Sequence, residues 1–143
     1  MSHVTTISIE IKDLKALKSA AEELGAQWIE NKTTYEWWGH SVGDYPIPAG
    51  MTKEDLGKCD HVIRVPGVEY EIGVVKKADG KYTLAYDFYG KGQGLLQKFG
   101  QGCSKLSQMY AVHAATRAAK AKGLLVQRKS LDNGGIKLLV SMA

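Results

Sequence analysis

The stretch from residue 81 to residue 123 constrains the fold more than any other, because its hydrophobic period changes within it. Apolar and aromatic residues occupy every second position between Tyr82 and Phe88, which is typical of a strand with one buried face. From Ser104 onward, apolar residues recur every three or four positions as far as Gly123, a pattern typical of a helix that ends at a glycine. The sequence therefore predicts a strand followed by a long helix.

The start of this helix has two candidates. Ser104 could be the N-cap, or the helix could begin earlier, near Gln93. Gly100 and Gly102 disfavour an unbroken helix from Gln93, since each glycine inside a helix costs about 1 kcal/mol relative to alanine. We therefore favour a helix that begins at Ser104.

The remaining elements follow from alternation, capping residues and turn residues. A helix is predicted over 14–24, with Asp13 as its N-cap and Gly25 at its end. Further strands are predicted over 4–11, 26–30, 33–38, 61–65, 68–76, 124–129 and 136–140. The order β-α-β-β-loop-β-β-β-α-β-β indicates an α+β fold, in which a mainly antiparallel sheet has two helices packed on one face.

Length and composition place limits on the class of protein. A chain of 143 residues fits one domain, 1–143, with a substantial core. No apolar run approaches the ~20 residues needed to cross a membrane, and the N-terminus has no secretory signal pattern. Cys59 and Cys103 lie far apart and outside any CxxC motif, as expected for reduced thiols in a cytoplasmic protein.

Residues 39–59 form a predicted long irregular loop, rich in glycine and proline. Long loops in compact domains are often functional. Aromatic residues lie in or beside this loop, namely Tyr35, Trp37, Trp38 and Tyr45, together with His40. These rings could stack on a base or another flat ligand, or contact a partner protein. The alternative is that the tryptophans close one end of the core.

Charge is divided unevenly along the chain. Residues 1–89 contain 10 Lys and Arg against 14 Asp and Glu, a net charge of −4, whereas residues 90–143 contain 9 against one, a net charge of +8. Such asymmetry favours a polyanionic partner, unless the fold mixes the two halves so that the surface charge averages out. The candidate anion-binding residues are Arg117, Lys120, Lys122, Arg128, Lys129 and Lys137. The alternative is that they only make the surface soluble.

The sequence contains three patterns that could indicate catalysis, and none of them matches an established motif. The segment 90–94, Gly-Lys-Gly-Gln-Gly, could be a phosphate-binding loop, but GxxxxGK[ST] is absent, so a flexible connection is favoured. Cys103 near a helix start could have a lowered pKa and act as a nucleophile, although no base is placed beside it. Glu69, Glu71 and Asp87 could meet on one sheet face for acid–base chemistry, but the pattern favours solvated positions for Glu69 and Glu71.

The histidines show no metal-binding spacing. His3, His40, His61 and His113 form no HxH or HExxH motif and no His/Cys pattern, so no metal and no cofactor are expected. His113 lies on the apolar side of the predicted long helix, where a hydrogen-bonded core histidine is the favoured interpretation.

Several segments together resemble a known family. They are 1–3 with the strand that follows, 13–17, 70–73, 82–90, 106–111 and 135–138. These segments resemble the hypothetical chloroplast reading frame thirty-five family, an uncharacterised family whose members occur in plastids, cyanobacteria and bacteriophages. Residues 36–59 are longer than the usual connection in that family. The resemblance implies a small α+β cytoplasmic protein, possible phage origin, and no known activity or catalytic residue.

The sequence as a whole favours a non-enzymatic binding protein. The expected ligand is a nucleotide or a nucleic acid, bound through the basic C-terminal half. The alternative is a protein–protein interaction module, an inhibitor or adaptor of a host protein, that uses the aromatic 35–48 segment. A homodimer is one way in which the edges of the predicted sheet could be covered.

Overall fold

The computed structural model describes residues 3–7, 9–39 and 45–142. Five strands form an antiparallel sheet. They are β1 (Val4–Thr6), β2 (Gln27–Ile29), β3 (His61–Arg64), β4 (Ile72–Lys76) and β5 (Tyr82–Asp87). Their order across the sheet is β1-β5-β4-β3-β2. Two further strands, β6 (Leu124–Ser130) and β7 (Ile136–Met142), pair only with each other within the described ranges. We call this two-stranded sheet the ribbon. The helices are α1 (Leu14–Glu23), α2 (Gln93–Phe99) and α3 (Ser104–Ala121). The predicted α+β class, with a mainly antiparallel sheet, is confirmed.

Helix α1 begins where the sequence predicts. The side chain of Asp13 accepts a hydrogen bond from the backbone N–H of Ala16 at 3.1 Å, so Asp13 is the N-cap. Small side chains dominate the buried face of α1, which consists of Ala16, Leu17, Ala20 and Ala21. This face lets α1 lie close to both the sheet and α3.

Glycines separate α2 from α3. Gly100 has φ 81° and Gly102 has φ 61°, backbone conformations that side chains disfavour, so the chain turns here and does not continue as one helix. Ser104 is the first residue of α3, but the N-cap is Cys103, which has a left-handed φ of 56°. The predicted break is therefore present, and the predicted Ser104 cap is one residue too late.

The main core lies between the sheet and the helices. Alternate residues of β3, β4 and β5 point to this side, and the helices contribute Leu17, Leu95, Phe99 and Leu106, all fully buried. Period-two alternation in the strands and helical spacing in α1 and α3 thus meet in one apolar layer, as expected for an α+β domain.

The opposite face of the sheet is covered by chain from the first half of the protein. Tyr35 packs there against Val62 and Ala85, with only 3% of Tyr35 exposed. Gly73 makes this close approach possible, because a Cβ at that position would overlap the Tyr35 ring. The sheet therefore has a second, smaller core.

Three predicted strands differ from the structure, one of which is the strand predicted over 68–76, because β4 begins only at Ile72. Residues 33–38 do not pair with β2, and the backbone N–H of Tyr35 instead donates to Gly57 at 3.0 Å, with one isolated bridge between Thr34 and Lys58. This segment crosses the sheet face because burial of Tyr35 outweighs strand pairing. The first strand is also shorter than predicted: it ends at Thr6, and Ile9 is 36% exposed. Ser8, within that prediction, lies outside the described residues.

Candidate functional site

Both arginines of the predicted anion site are held in ion pairs with α1. Arg117 donates from Nε to Asp13 Oδ2 at 2.8 Å. Arg128 donates from Nη1 and Nη2 to the two carboxylate oxygens of Glu23, at 2.6 and 3.1 Å. These arginines therefore attach α3 and the ribbon to α1, and part of their charge is neutralised.

The pKa values of the two carboxyl groups, Glu23 and Asp13, are lowered by these cations. The hydrogen bond from Arg128 lowers the pKa of Glu23, partial burial opposes this, and a hydrogen bond with His113 lowers it further. For Asp13, partial burial raises the pKa, but the hydrogen bonds from Arg117 and from the backbone of Ala16 together outweigh it. Both carboxylates are thus stabilised in their charged form by the C-terminal half of the chain.

Lys129 and Lys137 lie directly opposite each other on the ribbon. Both side chains are exposed, on the ribbon face away from Arg128 and the helices. Among the described residues, no carboxylate lies within 4.0 Å of either ammonium group. Like charges directly opposite on a ribbon repel each other. We call these two residues the lysine pair.

Lys120 and Lys122 lie at the other end of the ribbon. Strand β6 runs antiparallel to α3. The β6–β7 turn therefore lies near the first half of α3, where the side chain of Gln108 donates to the carbonyl of Gly134 at 3.3 Å. Lys122, next to the C-terminus of α3, is thus separated from Lys129 by most of the length of β6, about 20 Å. The six predicted residues therefore do not converge on one patch.

The fold partly mixes the charges of the two halves. Among the described residues, three cations of the second half pair with acids of the first half, in the pairs Arg117–Asp13, Arg128–Glu23 and Lys91–Glu69. The lysine pair has no such acidic neighbour in the described part of the chain, so the averaging of surface charge is incomplete and leaves positive charge on the ribbon.

The predicted aromatic residues are divided between the core and the surface. Tyr35 is buried, and burial raises its pKa to about 12. Trp37 is half-buried and lies against Gly57, where a Cβ would be 3.1 Å from Trp37 Cδ1. Trp38 and Tyr45 are 46% and 36% exposed. Among these four residues, Trp38 and Tyr45 are therefore the most accessible to a ligand or partner. His40, with the rest of 40–44, lies outside the described residues.

Tyr45 joins rings that come from distant parts of the chain. The ring of His3 stacks on Tyr45 with centroids 4.9 Å apart, and lies 5.5 Å from Phe88 and 4.4 Å from Tyr89. We call these four residues the aromatic cluster. Beside it, Phe88 and Tyr89 border a shallow groove of about 450 Å³, whose other lining residues are Gln93, Leu96, Gln97 and Gln101.

Asp87 organises the backbone around the aromatic cluster. Its carboxylate is fully buried and accepts hydrogen bonds from the backbone N–H groups of His3 and Tyr89, both at 3.1 Å, and of Trp38 at 3.3 Å. The sequence did not predict that His3, Phe88 and Tyr89 lie in one cluster. The available signal was an acid at the end of an otherwise apolar strand, since a buried carboxylate needs several donors.

The carboxylates proposed for acid–base chemistry have separate environments. Glu69 is exposed and pairs with Lys91 at 2.6 Å, as its solvated position predicted. Glu71 is 3% exposed, so the prediction that it is solvated is wrong. Its Oε1 accepts hydrogen bonds from Lys32 Nζ at 2.9 Å and from the backbone of Glu36 at 3.0 Å. Glu71 therefore holds residues 32–36 onto the sheet. These residues belong to the chain that crosses this face of the sheet, 32–39 and 45–59, which we call the covering segment.

Neither cysteine has the lowered pKa that a nucleophilic thiol needs. Burial raises the pKa of Cys103 to about 11, although a hydrogen bond with Tyr86 opposes the shift. Burial also raises the pKa of Cys59 to about 12. Both thiols are free. The alternative of a lowered pKa at the start of α3, which the sequence already disfavoured, does not hold, because desolvation of a thiolate there outweighs the helix N-terminus.

Within residues 3–7, 9–39 and 45–142, no three His, Cys, Asp or Glu side chains are arranged to share a metal ion. No helix in these ranges has the length and apolar character needed to cross a bilayer. His113 is 22% exposed and its Nε2 lies 2.7 Å from Glu23 Oε1, so its role here is a hydrogen bond to α1.

Comparison with known proteins gives no relative from which a function could be transferred. No protein-family model matches the chain. No curated protein and no solved structure matches it either. The family resemblance based on short segments stays a prediction.

Proposed function

We propose that the chain is a non-enzymatic binding protein that binds a nucleic acid or a nucleotide through the outer face of the ribbon. The observation that supports this proposal is the lysine pair, Lys129 opposite Lys137, with no carboxylate partner among the described residues. Directly opposite residues have Cβ atoms about 5 Å apart, so one phosphate can contact both ammonium groups. An anion there would relieve the repulsion between the two lysines.

Neighbouring residues of the same face suit a nucleic acid. Leu125 and Leu139 share the outer face with the lysine pair and are 56% and 44% exposed. Apolar side chains next to phosphate-binding cations can contact sugars or bases. Arg117 and Arg128 have supporting roles in this proposal, because they fix α3 and the ribbon, respectively, to α1.

Fluorescence anisotropy tests the proposal. Labelled single-stranded DNA, single-stranded RNA, duplex DNA and a nucleotide are titrated at about 50 and 200 mM salt. The double variant Lys129→Glu/Lys137→Glu should weaken binding at least about tenfold and reduce the salt slope by about 0.7 to 0.9, the contribution of the one phosphate that both lysines contact. The matched control is Lys15→Glu/Lys18→Glu, which makes the same charge change on the exposed side of α1.

The outcomes are distinct. Loss of affinity in the ribbon variant alone supports the proposal. Equal losses in both double variants would indicate that only net charge matters. If the wild-type protein binds none of the four ligands at the lower salt, the proposal is wrong.

A second candidate function, a protein-interaction module, is supported by the aromatic cluster and its neighbour Trp38. Trp38, Tyr45 and Tyr89 are 46%, 36% and 42% exposed and lie around the buried Asp87. Exposed tryptophan and tyrosine side chains are frequent anchors of protein interfaces. Self-association of this chain, including the predicted homodimer, is one form of such an interaction.

Deletion of residues 39–58 is one way to test this second candidate function, but point variants are the better test. That deletion would remove Met51, which packs against the smaller core, and Gly57, whose carbonyl accepts the hydrogen bond from the backbone N–H of Tyr35. The variant Tyr45→Ala/Tyr89→Ala removes exposed rings only. Proteins retained from a host lysate by the wild type but not by this variant would support the interaction module, whereas identical retention would contradict it. Light scattering of both proteins tests self-association.

A further inference from the structure

We propose that a cavity on the sheet face opposite the helices is a binding site for a small organic anion with an apolar body. The cavity has a volume of about 580 Å³ and lies between residues 49–60 and the strands β1, β4 and β5. It shares no lining residue with the ribbon or the aromatic cluster. The inference is therefore independent of the nucleic-acid proposal.

The cavity exists because the smaller core covers only part of this sheet face. Tyr35 packs over Val62 and Ala85, but beyond them the sheet continues through Val75 and Thr83, which are cross-strand partners. Val75 and Thr83 border the cavity together with Met51 from the covering segment. This apolar and hydroxyl-bearing lining suits the body of a small ligand. The volume is within the usual range for ligand sites, about 300 to 1,000 Å³.

The charged residues at the cavity favour an anion. Lys58, Lys76 and Lys77 border it, with Asp55 and Asp60 as the acidic residues. Among the described residues, neither Lys58 nor Lys76 has a carboxylate within 4.0 Å, while Lys77 lies 3.9 Å from Asp79. Lys58 is therefore the lysine available to an incoming anion, because Lys77 lies near Asp79 and the alternation of β4 directs the side chain of Lys76 to the helix side of the sheet, with Val74.

The two aspartates already bind donors of the protein. Asp55 accepts hydrogen bonds from the backbone N–H and the hydroxyl of Thr52, at 2.8 and 3.2 Å. Asp60 accepts a hydrogen bond from the backbone N–H of Lys76 at 2.7 Å. Both carboxylates are thus engaged by hydrogen-bond donors of the protein, which leaves Lys58 as the group that selects the ligand charge.

The chemistry of the cavity defines the ligand class. The ligand has an apolar aliphatic or aromatic body of a size that a cavity of this volume can hold, and one carboxylate or phosphate group for Lys58. A carboxylic acid and a phosphate monoester share this chemistry. Octanoate and phenyl phosphate represent these two sources, and 1-octanol has the apolar body of octanoate without its charge.

Isothermal titration calorimetry with these three probes tests the proposal. Octanoate or phenyl phosphate should bind with an affinity at least about tenfold greater than that of octanol. Lys58→Glu reverses a charge at the cavity, and Ala49→Trp places a large side chain at an exposed lining position. Each should weaken binding at least about tenfold. The control Lys53→Glu makes the same charge change on a neighbouring residue outside the lining and should bind as the wild type does.

Modification of Cys59 locates the ligand independently. Cys59 lines the cavity, whereas Cys103 is fully buried elsewhere. Saturating octanoate or phenyl phosphate should slow the reaction of Cys59 with a thiol reagent, and the Lys129→Glu/Lys137→Glu variant should show the same protection.

Protection together with weakened binding in the two cavity variants supports the proposal, and the preferred probe identifies the anionic group. The proposal is overturned if neither anion binds the wild type. It is equally overturned if octanol binds as well as the anions do, or if Lys58→Glu and Ala49→Trp bind as the wild type does.

Discussion

Arg128 of the ribbon binds Glu23 of α1 through two hydrogen bonds, at 2.6 and 3.1 Å. The two residues are 105 positions apart in the chain. A two-stranded ribbon is only marginally stable on its own. Partial burial of the inner ribbon face against α3 and this ion pair with α1 therefore fix the position of the ribbon, and with it the position of the lysine pair.

Arg128→Met should lower the free energy of unfolding by about 0.5 to 1 kcal/mol, because a two-pronged but half-exposed ion pair is lost. Urea denaturation measures this change. Lys129→Met is the matched control, since Lys129 is the next residue along β6 and points away from α1. Equal effects of the two substitutions would contradict a structural role for the Arg128–Glu23 pair.

The same contact predicts a pH dependence. The pKa of Glu23 in the folded protein is below its ordinary value of 4.5, first because of the Arg128 hydrogen bond. The unfolded chain therefore takes up the proton first as pH falls. This contribution to stability is complete above the ordinary pKa and is lost as pH falls through the folded pKa.

Glu23→Gln should accordingly reduce the loss of stability between about pH 6 and pH 3. Denaturation curves at several pH values measure the slope. Glu22→Gln serves as the comparison, because Glu22 is an exposed neighbour on the same helix. If both variants lose stability with acid as steeply as the wild type, the ion pair makes no contribution to the acid response.

Lys32→Met should destabilise the protein by about 1 to 3 kcal/mol, since it leaves the buried Glu71 carboxylate with the backbone of Glu36 as its donor. Glu71→Gln should cost less, because the amide oxygen still accepts from Glu36 and Lys32 can turn to water. Thermal or chemical denaturation gives the order of the two variants. The reverse order would show that Glu71 is not held by Lys32.

Gly73→Ala should destabilise the protein by about 1 to 3 kcal/mol. A Cβ at this position would lie 2.7 Å from Tyr35 Cε1 and 3.0 Å from Cys59 Cβ, in a core with little room to adjust. In a Tyr35→Leu background, the same glycine substitution should cost clearly less. Additive costs in a double-mutant cycle would indicate that the Tyr35 ring does not determine the need for glycine.

Neither cysteine should react rapidly in the folded protein. Burial raises the pKa of Cys59 to about 12 and that of Cys103 to about 11, so little thiolate is present at pH 8. A colorimetric thiol reagent should modify Cys59 slowly and Cys103 more slowly still, since Cys103 is fully buried. Both should react at once in denaturant. Rapid native modification of Cys103 would contradict its buried position.

Local patterns were sufficient for α1, α3 and most strands, whereas α2 was not predicted as a separate helix. Alternation around Leu84 and the capping side chain of Asp13 depend on neighbours in sequence, and both features are present in the fold. The glycines at 100 and 102 likewise predicted the separation of α2 from α3. Such signals are local. The period of buried positions, and the hydrogen bonds made by the free backbone groups at a helix end, involve only a few adjacent residues.

The roles of individual polar and aromatic side chains needed the tertiary structure. Tyr35 resembled a surface aromatic and Glu71 a solvated acid, yet both are buried because the covering segment crosses the sheet face. Arg128 resembled Lys129, but strand alternation and the position of α1 give Arg128 an acidic partner that Lys129 lacks in the described structure. The sequence by itself determined the elements and the excess of positive charge in residues 90–143. Only the tertiary structure decided which of those charges are neutralised, because the paired acids come from the distant first half of the chain.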